Sequence, residues 1–302
     1  MRIVPVAAEA LVGLLALVAL EANGQVARAD ADGLADALGP RELALGGGLR
    51  AGSIGALATS LNPAGVALNR ELVFEGSYGY RPDDSASLVA LSACDSTNAV
   101  PGCFYYRYAS TSPTVDGMDL HQRSHVGGAT LSRPLSPRVI LGAGIKYFNV
   151  KRDDMSDESD SGVNWDVGSL FRVTETLNLA VVGYNIKGST STEFPRSVGS
   201  GVTLRPVPQL AATFDALWNL ETDGATGRYG GGLEYFVTAA QGKVGYPLRA
   251  GVLHDVTSGT FLSGGLGIAT LKVGLDVGLR KQVSDGDELQ ISASLRVFGP
   301  RM

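Results

Sequence analysis

Between Glu71 and Phe298 hydrophobic and polar residues alternate with a period of two, the spacing of strands whose two faces meet different surroundings. The clearest stretch is LKVGLDVGLR, in which Leu271, Val273, Leu275, Val277 and Leu279 share one face while Lys272, Gly274, Asp276, Gly278 and Arg280 share the other. ELQISASLRVF opposes Leu289, Ile291, Ala293, Leu295 and Val297 to Gln290, Ser292, Ser294 and Arg296. VNWDVGSLFRV sets Val163, Trp165, Val167, Phe171 and Val173 against Asn164, Asp166, Gly168 and Arg172. About fourteen segments of this kind follow one another, near 71–80, 85–94, 102–110, 121–132, 138–150, 163–173, 177–186, 197–205, 210–219, 228–237, 246–255, 260–268, 271–280 and 288–298. Strands of about ten residues are long for a soluble sheet and right for crossing a bilayer at a tilt.

The links between segments alternate in character. PLSP (134–137), TET (174–176), PVPQ (206–209) and AT (269–270) are short, whereas STSPTVDGMD, KRDDMSDESDSG, KGSTSTEFPR and ETDGATGR are longer, polar and often acidic. Short periplasmic turns and long outer loops mark outer membrane barrels, which in bacteria have an even number of strands. Two links depart from this pattern: 237–246 is long for a periplasmic turn, and Arg81 to Asp84 is short for an outer loop. The predicted fold is all-β, an antiparallel transmembrane β-barrel of about fourteen strands over residues 71–302. A secreted soluble β-protein is the reading that this strand length disfavours.

Residues 30–70 break the alternation. Their sequence, including LALGGGLRAGSIGALATSLNPAGVAL, is small, apolar and interrupted by Asn62-Pro63, where proline removes a backbone donor and turns the preceding residue from the helical region. Irregular backbone at membrane depth has to be buried in protein or line a wet cavity. The segment is therefore expected in the barrel's own lumen, as a hatch. Residues 1–29 read as a signal peptide: Arg2, an apolar core from Leu11 to Leu20, and Ala27-Arg28-Ala29 as a cleavage site.

RELALGGGLRAGSIGALATSLNPAGVAL resembles the N-terminal pattern of the FadL-type long-chain fatty acid transporters of the outer membrane and of the related PorV-like proteins. The resemblance implies a fourteen-stranded barrel with a hatch carrying Asn62, Pro63, Ala64 and Gly65. It also implies passage of hydrophobic molecules that leave sideways through a gap in the wall. Ligand is expected between the hatch, with Leu45, Leu57 and Leu61, and the barrel wall. The expected function is diffusion of small, fatty-acid-like hydrophobic compounds across the outer membrane. The alternative is a closed, PorV-like barrel that anchors or receives an outer membrane or periplasmic protein partner, which the short chain and polar loops favour.

Composition narrows the chemistry. The 302 residues include 40 glycines, 44% hydrophobic residues and a net charge of −5, and no stretch after Leu20 is long and apolar enough for a spanning helix. Mild acidity without a basic run argues against nucleic acid. Lipids and lipopolysaccharide of the outer membrane are the expected surroundings. Ten charged residues are assigned to the lumen: Lys146, Asp166, Arg172, Asp215, Glu234, Arg249, Lys272, Asp276, Arg280 and Arg296. The preferred reading is that they pair with one another and with the hatch, since barrel interiors are polar in any case. Cys94 and Cys103 flank a short turn in an exported chain and are expected to form a disulfide.

No metal site, cofactor or enzymatic activity is expected. His121 and His125 lie two strand steps apart, roughly 13 Å, too far to hold one ion together. The acidic loop RDDMSDESD (152–160) lacks the spacing of a calcium loop. Tyr78, Tyr80, Tyr105, Tyr106, Tyr108, Tyr147, Tyr184, Trp165 and Trp218 read as interfacial girdle residues.

Overall fold

The computed structural model describes residues 39–299 apart from 113, 116, 117, 120, 154–158, 189–193, 222–225 and 240–242. The predicted signal peptide and residues 30–38 of the expected hatch lie outside the described residues.

The alternating segments become the strands β1 (Leu72–Arg81), β2 (Ala86–Asp95) and β3 (Gly102–Thr111), followed after a small ribbon, β4 (Thr114–Val115) and β5 (Met118–Asp119), by β6 (His121–Ser136), β7 (Val139–Asp153) and β8 (Ser159–Arg172). The chain continues with β9 (Leu177–Tyr184), β10 (Ser197–Val207), β11 (Leu210–Asn219), β12 (Arg228–Ala239) and β13 (Val244–Asp255). It ends with β14 (Gly259–Thr270), β15 (Val273–Gln282) and β16 (Leu289–Phe298). All but the ribbon form one closed antiparallel barrel of fourteen strands, each pairing with its neighbour in sequence, and β1 closes on β16 with Val73 opposite Phe298. Closure leaves no free edge, and lipid would satisfy none of an edge's hydrogen bonds.

Several strands outrun their predicted ends. β12 and β13 extend to Ala239 and Val244, so the link that looked long is only 240–243, and Ala269-Thr270 belongs to β14, with the turn falling on Leu271 and Lys272. The short link after β1 is a 3-10 turn, Pro82–Asp84, closed by Ser85 at φ 53°.

The two faces of the wall separate as the pattern dictates. Phe74, Phe104, Leu131, Leu266, Leu275, Ile291 and Leu295 point outward and are exposed. A continuous apolar exterior of this kind is out of place in water and matches the band that a bilayer covers. Among the aromatic residues assigned to a girdle, Tyr105 and Tyr184 instead point into the lumen: the first is buried beside Arg107 and the second bonds to Arg50. Tyr105 and Tyr106 are consecutive, so a strand must send one of them inward.

Residues 39–70 fill the lumen as a plug. It starts with a short helix, α1 (Pro40–Ala44), with proline at the first position, where no donor is lost. The chain then turns at Gly46 and Gly47, both at positive φ, and passes through a 3-10 turn (Gly55–Leu57), helix α2 (Ala58–Leu61) and a second 3-10 turn (Pro63–Ala67). Leu45, Leu49, Leu57 and Leu61 pack together as the plug's own small core.

The plug lies against inward-facing glycines of the wall. A methyl group on Gly168 of β8 would sit 2.1 Å from Asn62 Oδ1, and one on Gly142 of β7 would sit 2.3 Å from the Ala64 nitrogen. Gly278 of β15, Gly251 of β13 and Gly201 of β10 meet Pro40, Leu45 and Arg50 in the same way. At Gly142, Gly251 and Gly278 backbone thus touches backbone, and at Gly168 and Gly201 side-chain atoms come as close, at distances any side chain on the wall would forbid.

Candidate functional site

Two arginines from the plug reach carboxylates of the wall. Arg41 donates to both oxygens of Glu234, at 2.9 and 2.7 Å. Glu234 also accepts from Arg249 Nε at 2.7 Å, Arg249 Nη1 donates to Asp276 Oδ1 at 2.5 Å, and Asp276 Oδ2 accepts from Arg296. The result is an alternating chain, Arg41–Glu234–Arg249–Asp276–Arg296, that runs from plug to wall. Such pairs are net neutral against an apolar filling, but breaking one leaves a stranded charge.

The second anchor is Arg50. Asp215 Oδ2 accepts from the backbone N–H groups of Leu49 and Arg50, both at 2.8 Å, and from Arg50 Nη1 at 3.1 Å. Arg50 Nε donates to Tyr184 Oη at 2.8 Å, and the Tyr184 hydroxyl donates in turn to the Leu61 carbonyl.

Asn62 is fully buried and joins three pieces of chain. Its Nδ2 donates to the carbonyls of Arg50 (3.1 Å) and of Ser169 in β8 (3.2 Å), while its Oδ1 accepts from the Ala64 N–H at 3.0 Å and so caps the 3-10 turn that Pro63 begins. Pro63 lies on Gly142, Ala64 packs with Ile140 and Leu170, and Gly65 lies against Ser53.

Open space lies elsewhere, along β1 to β3. A cavity of about 30 Å³ is bounded by Glu42, Ser60, Glu75, Ser92, Tyr105 and Arg107. Below it, towards the chain ends, a smaller one lies between Arg41, Leu57, Glu75, Arg296 and Phe298. Leu57 and Glu75 border both. Of the seven hatch residues predicted to hold ligand, Leu57 alone lines these spaces, Leu45 and Leu61 lie in the plug's core, and Asn62 to Gly65 are packed tight.

Above the larger cavity, at the end carrying the long links, the lumen wall turns apolar. Leu88, Tyr105, Ala109, Val126, Phe148 and Val150 are buried there in one cluster with Phe194, from the link after β9. Arg107 stands at the floor, its guanidinium 4.8 Å from the Tyr105 ring centroid and its Nη2 donating to Thr59 Oγ1 of the plug at 2.9 Å. The β1–β2, β2–β3 and β3–β6 ladders run unbroken beside this path, so no sideways gap opens there.

The remaining predicted lumen charges divide by position. Lys146 bonds both oxygens of Asp166 at 2.8 Å, and Arg280 bonds Glu288 at 3.1 Å with its guanidinium over Phe261. Arg172 is the last residue of β8, half-buried at the barrel rim. Lys272 is not in the lumen: β15 begins at Val273, so the alternation that pointed Lys272 inward extends into an exposed turn with no lumen beside it. Cys94 and Cys103 form a disulfide between β2 and β3. Of the acidic loop, 154–158 lie outside the described residues, and Asp153 pairs with Arg123. His125 bonds Tyr106 and His121 bonds Ser112, with no third ligand that would make a metal site among the described residues.

Sequence reasoning passed over Arg41, Arg50, Glu42, Glu75 and Arg107. The available signal was the rarity of charge in residues 39–70: two of its few charged side chains are the arginines that find the wall's carboxylates.

These features define a class: a transmembrane β-barrel filled by its own N-terminal plug. No protein-family model and no curated protein matches the sequence. Among solved structures, the chain is similar to the CymD monoaromatic hydrocarbon channel, with a TM-score of 0.67 at 14% identity over 87% of this chain and 97% of that one. It is similar to the Ralstonia pickettii toluene transporter TbuX, with a TM-score of 0.66 at 13% identity, covering 88% and 98%. A Pseudomonas aeruginosa FadL homologue matches with a TM-score of 0.54 at 10% identity, covering 86% and 97%. The fold is that of the FadL-type outer membrane transporters.

Proposed function

We propose that this chain is an outer membrane channel through which small hydrophobic compounds diffuse. They enter at the end with the long, outward-facing links and pass between the plug and the wall of β1 to β3. The observation that carries this reading is the apolar cluster of Leu88, Ala109, Val126, Phe148 and Val150 inside a lumen that would otherwise be polar, directly above the cavity at Tyr105 and Arg107. An apolar surface there serves a hydrophobic solute and repels an ionic one. The hydrocarbon channels that share this fold support the same class of cargo, and the fatty-acid-like character expected from the sequence has no separate support. Passage requires the plug to shift, because the spaces along the seam hold only a few waters.

Liposomes carrying the protein should take up a hydrophobic fluorescent probe faster than empty liposomes. Deleting residues 43–68 should change that rate, and equal rates with and without the protein would overturn the proposal.

The tight fit of the plug against wall glycines favours a second reading, a permanently closed barrel that receives a protein partner from the outer membrane or the periplasm. Crosslinking on intact cells separates the two: a stoichiometric protein adduct together with no probe uptake supports the closed barrel.

A further inference from the structure

The larger cavity has a polar lining for which a bare hydrocarbon has no use. The space exists because β2 presents small side chains to the lumen between larger neighbours: Ser92 lies between Glu75 and Tyr105, and in the next row Ala90 lies between Ser77 and Arg107. Facing these two rows, the plug supplies Glu42, Leu57 and Ser60.

Glu42 is 2% exposed, and its Oε2 has no hydrogen-bond partner. Its Oε1 has the Ser60 hydroxyl 3.4 Å away, but that hydroxyl carries a single hydrogen, and the Leu57 carbonyl at 3.1 Å is the nearer acceptor. Ser92 Oγ is also buried without a partner. Among the described residues neither Glu42 nor Glu75 forms an ion pair: Arg41 turns to Glu234, and Arg107 gives Thr59 one hydrogen bond while its guanidinium stays beside the Tyr105 ring.

A buried carboxylate oxygen without a donor and a guanidinium with N–H groups to spare call for one group that donates and accepts. A hydroxyl does both through a single oxygen. A methylene does neither, and a carboxylate would meet two negative charges, Glu42 and Glu75, against the one guanidinium. The volume of about 30 Å³ admits roughly two water-sized groups, and Ala56, Leu57 and Ala90 give it apolar sides.

We propose that this cavity binds the hydroxyl group of a small uncharged alcohol, with Glu42 accepting its O–H and Arg107 donating to its oxygen. The inference deepens the channel reading and rests on it in naming the cargo: a compound with an apolar body and one hydroxyl, in preference to a bare hydrocarbon or a fatty-acid anion.

The test is equilibrium binding to the full chain in detergent, read by ligand-observed NMR against detergent alone. The probes are 1-butanol, its isomer diethyl ether, which accepts a hydrogen bond but cannot donate one, and butanoate. 1-Butanol should bind saturably, about tenfold or more tightly than either of the others. Glu42→Leu should bring 1-butanol down to the level of the ether, and Glu42→Gln should improve butanoate by removing a negative charge. Equal binding of 1-butanol and diethyl ether overturns the proposal, as does unchanged 1-butanol affinity in Glu42→Leu. Absence of saturable binding overturns it too, and would leave water alone in the cavity. The comparison of the probes needs no variant, so it decides the matter even if Glu42→Leu fails to assemble. Binding needs no flux: Glu42-dependent binding of 1-butanol without uptake of the hydrophobic probe by liposomes would retain this site and sink the channel, and uptake without such binding would do the reverse.

Discussion

Arg50 of the plug and Asp215 of β11 meet through one carboxylate oxygen, which accepts both the Arg50 side chain and the Arg50 backbone N–H. The contact fixes a position and a direction of chain together, which a side-chain pair alone does not. Asp215→Ala would leave Arg50 buried beside Tyr184 without its counter-charge. The loss should be about 3–5 kcal/mol, borne by the seating of the plug more than by the wall. Limited proteolysis should then cut within residues 39–70 of the variant while the barrel stays intact on a gel; unchanged protection would show that Asp215 does not hold the plug.

The chain from Arg41 to Arg296 predicts non-additive mutants. Arg41→Ala and Glu234→Ala should each destabilise the plug, and the double variant should be less damaged than the sum of the two, with a coupling of about 0.5–3 kcal/mol. A double-mutant cycle read by denaturant unfolding measures it. Additive losses would mean that the bidentate contact contributes little.

Gly168 offers the sharpest steric test. A methyl group there meets Asn62 Oδ1, so Gly168→Ala should cost about 1–3 kcal/mol through overpacking and loosen the plug. At Gly127 an added methyl meets nothing within 4 Å, and Gly127→Ala should leave both thermal unfolding and protease protection as they were.

The disulfide joins strands that already pair, with nine residues of separation. Replacing Cys94 and Cys103 together by alanine should lower stability by about 2–3 kcal/mol through the freed unfolded chain. The fold and probe uptake should persist. A collapse of barrel assembly, seen as loss of heat-dependent gel mobility, would show that the bond is needed for the β2–β3 hairpin to form at all.

The wall was readable because strand alternation is local: once Leu275 faces lipid, Asp276 must face the lumen, whatever the rest of the chain does. The same rule misplaced Lys272, since alternation says nothing about where a strand stops. The segment around Asn62 was legible as irregular chain needing shelter, and Asn62 does cap a turn inside the lumen. Which residues border open space was not legible, because that depends on which side of the lumen the plug leaves unfilled.

By itself, then, the sequence determined the number and facing of the strands and the need to house residues 39–70, since both follow from periodicity and from the demand of each backbone group for a partner. Only the tertiary structure decided the rest. Arg41 finds Glu234 across 193 positions of sequence, Gly168 comes within a methyl's reach of Asn62, and Phe194 turns into the lumen to stack on Phe148. These contacts arise from closing the barrel around the plug, which brings together groups whose separation along the chain carries no trace of their proximity.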